Sequence, residues 1–266
     1  MTAGIFEKEL ILMKREERRF LEKKAFLSGG FSEKLREKVP AGLEKTVRRA
    51  FRAALQYDLE DGEAVLDKTV SREELLETYR RREEMLLQRQ AYASLRELDR
   101  DAGRSRSGNL LLTAAEGAGL GMLGVGLPDI PVFLGMILKT VKETALRYGY
   151  AGRGPWEQSY LLRVICGGLC GGEEGRRMFA EAQRLGAAMD HRSGEPIVED
   201  VEQMLERTAD QLADTLLAAK FVQGIAVVGA LGGAFNLAVL QRVERAAYLC
   251  YRRRRMEKLR WMVGAR

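Results

Sequence analysis

The chain has 266 residues, enough for one large domain or two small ones, and 46% of them are hydrophobic, which suffices for a substantial core. Charged residues at 31% exclude a wholly membrane-embedded protein, and five prolines with few alternating Val/Ile/Thr runs disfavour a sheet, so an all-α fold is expected. The net charge of +6 sits mainly in the tail, where residues 241–266 hold 9 Lys/Arg against 2 Asp/Glu.

In chain order, Ile5 to Leu27 predicts a helix with a thin apolar seam of Phe6, Leu10, Met13, Phe20 and Leu21 among many charges, ended by Ser28-Gly29-Gly30. A second helix starts near Pro40, with Leu43, Val47, Phe51 and Leu55 at helical spacing. Ser71-Arg72-Glu73-Glu74 has the form of a capping box, and the helix it opens extends to about Arg100. Residues 103–108, GRSRSG, form a junction that separates amphipathic N-terminal helices (1–107) from a helical core (108–266); one continuous bundle is equally compatible.

Asn109 to Leu127 is almost wholly apolar, with Glu116 its only charge and glycines at 117, 119, 121, 124 and 126. Leu127-Pro128-Asp129-Ile130-Pro131 interrupts the run, because proline lacks an N–H and drives the residue before it out of the helical region. A new helix then runs to Gly149, a C-cap, with Asp129 favoured as the cap of its start over an ion-holding role. Trp156 to Leu169 reads as a short helix that Gly167 and Gly168 weaken, Glu173 to Met189 as an amphipathic one. From Glu199 a helical pattern leads into the uncharged run Phe221 to Gln241, and a basic helix from Arg242 to about Met262 follows.

In both apolar runs small residues recur four apart, as in Gly117 with Gly121 and Gly229 with Gly233. Glycine costs about 1 kcal/mol of helix propensity relative to alanine, so close helix packing through these small faces is the expected compensation. The fold expected is a multi-helix bundle around two Gly-rich apolar helices. Hydropathy alone would also permit a membrane hairpin, but the glycines dilute the apolar runs and the charge around them disfavours translocation.

The strongest interaction signal is Arg252, Arg253, Arg254 and Arg255, joined by Lys258, Arg260 and Trp261. These residues suit an anionic membrane surface, with Trp261 at headgroup level; a solvated helix end is the ordinary alternative, and nucleic acid is disfavoured because no binding motif accompanies the cluster. Cys166, Cys170 and Cys250 form no disulfide framework; with His191 they are every soft ligand in the chain, but buried core positions are the default and no metal or cofactor is expected. No H-E-x-x-H, P-loop, G-x-S-x-G or dinucleotide fingerprint occurs, so no catalytic residue is assigned, although scattered carboxylates that converge in space would still make an enzyme. Met1 to Leu12 lacks the pattern of a secretory signal, and the expected location is the cytosol or the inner membrane face.

The Gly-rich segment, then Asp129-Ile130-Pro131, then an amphipathic helix ending in Tyr148-Gly149-Tyr150 resembles the core of the EcsC family of bacterial proteins. Lys220 to Asn236, followed by a helix with Ala246, Ala247 and Arg252 to Arg255, resembles that family's C-terminal segment, so the likeness runs from roughly Val39 onward. What it implies is an association with ABC transport or secretion and no inherited catalytic residues. The resulting expectation is a non-enzymatic accessory or interaction protein, peripheral at the cytoplasmic membrane surface, with a transporter component as the partner that the resemblance suggests. An enzyme with a carboxylate site and an integral membrane protein are the competing classes.

Overall fold

The computed structural model describes residues 3–23, 40–61, 71–89, 129–151, 154–191, 201–222 and 230–264, and every regular element among them is an α-helix. There are eight such helices: α1 (Ala3–Glu22), α2 (Ala41–Asp61), α3 (Arg72–Arg89), α4 (Asp129–Arg147), α5 (Pro155–Leu169), α6 (Gly172–His191), α7 (Val201–Val222) and α8 (Ala230–Gly264). The all-α expectation holds, and the starts near Pro40, Ser71 and Asp129 fall where the sequence placed them.

Among the described residues the centre of the bundle is α5. Pro155 opens it, because the fixed φ of proline suits a first helical turn, and every residue from Ser159 to Leu169 is buried. It packs against α4, α6, α7 and α8, which leaves it no solvent face. The helix expected to end at Leu169 does so, running through Gly167 and Gly168. A Cβ on Gly168 would lie 2.9 Å from the Cα of Val243, and one on Gly167 2.7 Å from the Phe179 ring. Tertiary packing therefore offsets the propensity cost here: the missing side chains let α8 and α6 approach the backbone of α5.

The close-packed glycines expected at Gly117, Gly121 and Gly229 lie outside the described residues, and Gly233 falls within α8. The uncharged run ending at Gln241 and the basic helix after it are one rod: α8 is unbroken over 35 residues, about 50 Å at 1.5 Å per residue. It packs against α1, α4, α5 and α6 at once. Helices on either side of residue 107 pack together, α1 on α8 and α6, α2 on α7 and α4, and α3 on α4.

The turn after α4 sets up the site described next. Gly149 has φ +81, a conformation open to glycine and strained for other residues. Its N–H donates to the carbonyl of Leu146 and that of Tyr150 to the carbonyl of Ala145, both at 2.9 Å, the two bonds of a Schellman cap. The cap turns Tyr150 back into the bundle, where it is 5% exposed.

Candidate functional site

Consecutive residues on a helix point about 100° apart, so four in a row sweep most of the circumference. The side chains of Arg252 to Arg255 accordingly reach four different neighbours of α8, and each finds carboxylates there. Arg252 meets Glu16 at 3.3 Å and Glu9 at 3.7 Å on α1, and Arg253 meets Glu17 on α1 at 2.7 Å and Glu257 on its own helix at 3.0 Å. Arg255 pairs with Glu83 on α3, its guanidinium 4.8 Å from the centre of the Tyr79 ring.

Arg254 has the most complete environment. Its Nη1 and Nη2 donate to the two carboxylate oxygens of Glu157 at 2.9 and 2.7 Å, while Nε and Nη2 donate to those of Asp190 at 2.9 and 3.1 Å. The rings of Tyr150 and Tyr160 lie 3.9 and 4.7 Å from the guanidinium carbon. Tyr150 donates its hydroxyl to Asp190 at 3.0 Å. Gly186 leaves the necessary room, since a Cβ there would lie 2.8 Å from Cδ of Arg254. Desolvation opposes the charge of Arg254, yet Glu157 and Asp190 outweigh it and hold its pKa well above the usual value. Burial pushes the hydroxyls of Tyr150, Tyr160 and Tyr251 well up and that of Tyr79 to about 12, so all four stay neutral.

This geometry corrects the expectation of a solvent-facing basic stripe. Arg252, Arg254 and Arg255 are 9, 3 and 4% exposed, and their charges are matched inside the protein by acids from four other helices. Lys258 is half-buried beside Asp190, and burial lowers its pKa. Within this basic cluster only Arg260 and Trp261 are exposed, and Trp261 stacks on His191 with ring centres 5.2 Å apart. Sequence reasoning missed Glu157, Asp190 and Tyr160. Glu157 is the sole acid of α5, but with Gln158, Ser159 and Arg163 on the same helix nothing in the sequence marked it as the partner of Arg254.

Ile130 is buried and Pro131 exposed in the first turn of α4, where Asp129 is the first residue. Each cysteine is a small core residue: Cys166 lies 3.3 Å from the Thr208 hydroxyl, Cys170 donates to Gln211 at 3.4 Å, and Cys250 is fully buried. Among the described residues no group of three or more His, Cys, Asp or Glu is placed to hold a metal ion, and no helix is long and apolar enough to cross a membrane. Asn109–Leu127 and residues 223–229 of the second apolar run lie outside that description.

The acids that α8 draws inward sort the charges of α1. Glu9 and Glu17 are buried and Glu16 half-buried, next to Phe6, Leu10 and Met13, which pack on Met256 and Leu259. The outward side carries Lys8, Lys14, Arg15, Arg18, Arg19 and Lys23, with Glu7 and Glu22 the only acids. Ile11 and Leu12 lie on that side too, each 47% exposed. It is a cationic amphipathic surface that mean composition does not disclose, because α1 as a whole is nearly charge-balanced.

Beside it, α1, α6 and α8 enclose an open groove of about 440 Å³. Leu21, Phe179, Ala180 and Ala187 form its apolar part, Glu17 and Gln183 lie in its wall, and Arg176 and Arg184 stand exposed on α6. Desolvation, outweighing Arg253, raises the pKa of Glu17.

No curated protein and no solved structure matches the chain. One family model does, and it covers residues 7–256, so the match takes in α1 and begins earlier than the likeness read from about Val39 onward. With Tyr148-Gly149-Tyr150 explained as the cap that delivers Tyr150 to Arg254, and the four arginines as the ties of α8 to its neighbours, the chain belongs to the EcsC protein family.

Proposed function

We propose that this protein is a non-enzymatic accessory protein at the cytoplasmic face of a membrane, held there by the outward side of α1. The observation that carries the reading is the segregation of charge on that helix: three acids face α8, while six cations flank exposed Ile11 and Leu12. A helix with this arrangement lies in the plane of an anionic bilayer, its apolar residues at the acyl boundary and its cations among phosphates. Each cation near such a surface contributes about 1 kcal/mol. The buried carboxylates beside Arg254 are already satisfied by its guanidinium, which favours a structural tie over acid–base chemistry. Service to a transporter component is the part of the proposal that the family resemblance supports.

Flotation with vesicles tests it. Binding is expected to phosphatidylglycerol-containing vesicles and not to pure phosphatidylcholine, and to fall steeply with salt as screening shortens the reach of the charges. The triple variant Arg15→Gln/Arg18→Gln/Arg19→Gln should lose most of it. Equal binding by this variant, or binding that resists both salt and alkaline carbonate, would overturn the reading.

A further inference from the structure

The groove between α1, α6 and α8 has three features of a ligand site that the bundle itself does not need. Arg176 and Arg184, two helical turns apart on α6, form no ion pair among the described residues. Their neighbours Arg163, Arg177 and Arg207 all do, with Glu174 or Glu181, so acids were within reach of this helix and were spent on other arginines. Second, Glu17 and Gln183 are 5 and 6% exposed, and each keeps one oxygen, Oε1, without a hydrogen-bond partner. Glu17 commits only its other oxygen, to Arg253, and Gln183 only its amide nitrogen, which donates to the carbonyl of Cys250 at 3.3 Å. A buried polar atom left without its hydrogen bond is destabilising, so two such acceptors in one wall call for donors. Third, Leu21 and Phe179 give the groove an apolar side that opens beside the outward face of α1.

A matching ligand carries an anion for the two arginines, hydrogen-bond donors for the two acceptors and an apolar portion for Leu21 and Phe179. We infer that the groove binds the headgroup of an anionic glycerophospholipid, its phosphodiester against Arg176 and Arg184 and its headgroup hydroxyls turned toward Glu17 and Gln183. Both Oε1 atoms are shielded from solvent, and the inference therefore includes a turn of each side-chain end toward the entering hydroxyls. The inference rests on the proposed membrane reading and deepens it: α1 supplies adhesion to the surface as a whole, and the groove selects one headgroup from it.

Short-chain dihexanoyl-phosphatidylglycerol, kept below its micelle concentration, separates the two ideas because it presents no surface. Titration calorimetry should show saturable binding that weakens roughly tenfold or more in Arg176→Gln/Arg184→Gln, given two lost cation contacts. The α1 triple variant should bind this lipid like the unsubstituted protein. Dihexanoyl-phosphatidylcholine, which has no headgroup donor, should bind at least tenfold more weakly. Unchanged affinity in the α6 double variant, or no binding of the short-chain lipid by a protein that does float with vesicles, overturns the groove and leaves the surface reading intact. Saturable short-chain binding without flotation does the reverse. Inorganic phosphate that competes as strongly as the lipid assigns the site to free phosphate and overturns the lipid source.

Discussion

The outward face of α1 and the four-arginine run of α8 carry the same kind of charge and have opposite fates. On α8, four adjacent cations fan out around the helix and meet acids on neighbouring helices, Arg252 and Arg253 on α1, Arg254 on α5 and α6, and Arg255 on α3. On α1 the cations are scattered through the sequence among acids, yet helical geometry gathers them on one side and turns Glu9, Glu16 and Glu17 to the other. A dense basic run is conspicuous in a sequence, but consecutive residues on a helix do not share a face. A dispersed set at three- and four-residue spacing does share one, and it is this set that reaches solvent.

The largest effect should follow from breaking the interior of this comparison. Arg254→Met strands Glu157 and Asp190 without their common cation, and about 3–5 kcal/mol of stability should be lost, read as the shift of a urea unfolding midpoint. Arg254→Lys should recover only part of it, because a lysine ammonium cannot donate to two carboxylates in a planar fork. A loss below about 1 kcal/mol for the methionine variant would mean that the arginine is no tie at all.

Next in size is Gly149→Ala, which forces a side chain onto φ +81 and drives its Cβ into the Tyr79 ring. About 2 kcal/mol or more should go, with the near-ultraviolet signal of the tyrosine cluster disturbed as well.

A smaller effect concerns the acid that α1 turns inward. Burial raises the pKa of Glu17 in the folded state above its ordinary value. A raised carboxyl pKa means that the folded state binds the proton more tightly. Its contribution to stability is therefore fully present below the usual carboxylate range and is lost as pH rises through the raised value. Glu17→Gln should flatten the decline of unfolding midpoint with pH across that interval, and an unaltered slope would argue that Glu17 is solvated. The smallest effect sharpens the comparison from the other side: Arg15→Gln/Arg18→Gln/Arg19→Gln should leave stability within about 0.5 kcal/mol while vesicle binding collapses. A large loss of stability would show these cations to be structural, like those of α8.

Much of the fold was legible. Apolar spacing in Leu43, Val47, Phe51 and Leu55 located α2, and the breaks at Pro128 and Gly149 framed α4. What periodicity could not supply was the identity of the central helix, because α5 is short and lacks an amphipathic face, and a helix buried on every side has no periodic signature. Its glycines read as weak points until Val243 and Phe179 were seen against them. The arginine site was half legible: its cation and Tyr150 stood in recognisable motifs, but its acids, Glu157 and Asp190, are ordinary residues in unremarkable contexts.

From the amino-acid order alone came the family, through its motifs, and the all-helical class, most helix boundaries and the glycine cap at Gly149, which depend on interactions between residues a few positions apart. Tertiary structure alone decided which charges are inside. Arg253 meets Glu17 across 236 positions of sequence and Arg254 meets Glu157 across 97. Whether a cation faces a carboxylate or water is fixed by how the helices assemble, and local spacing carries no record of that assembly.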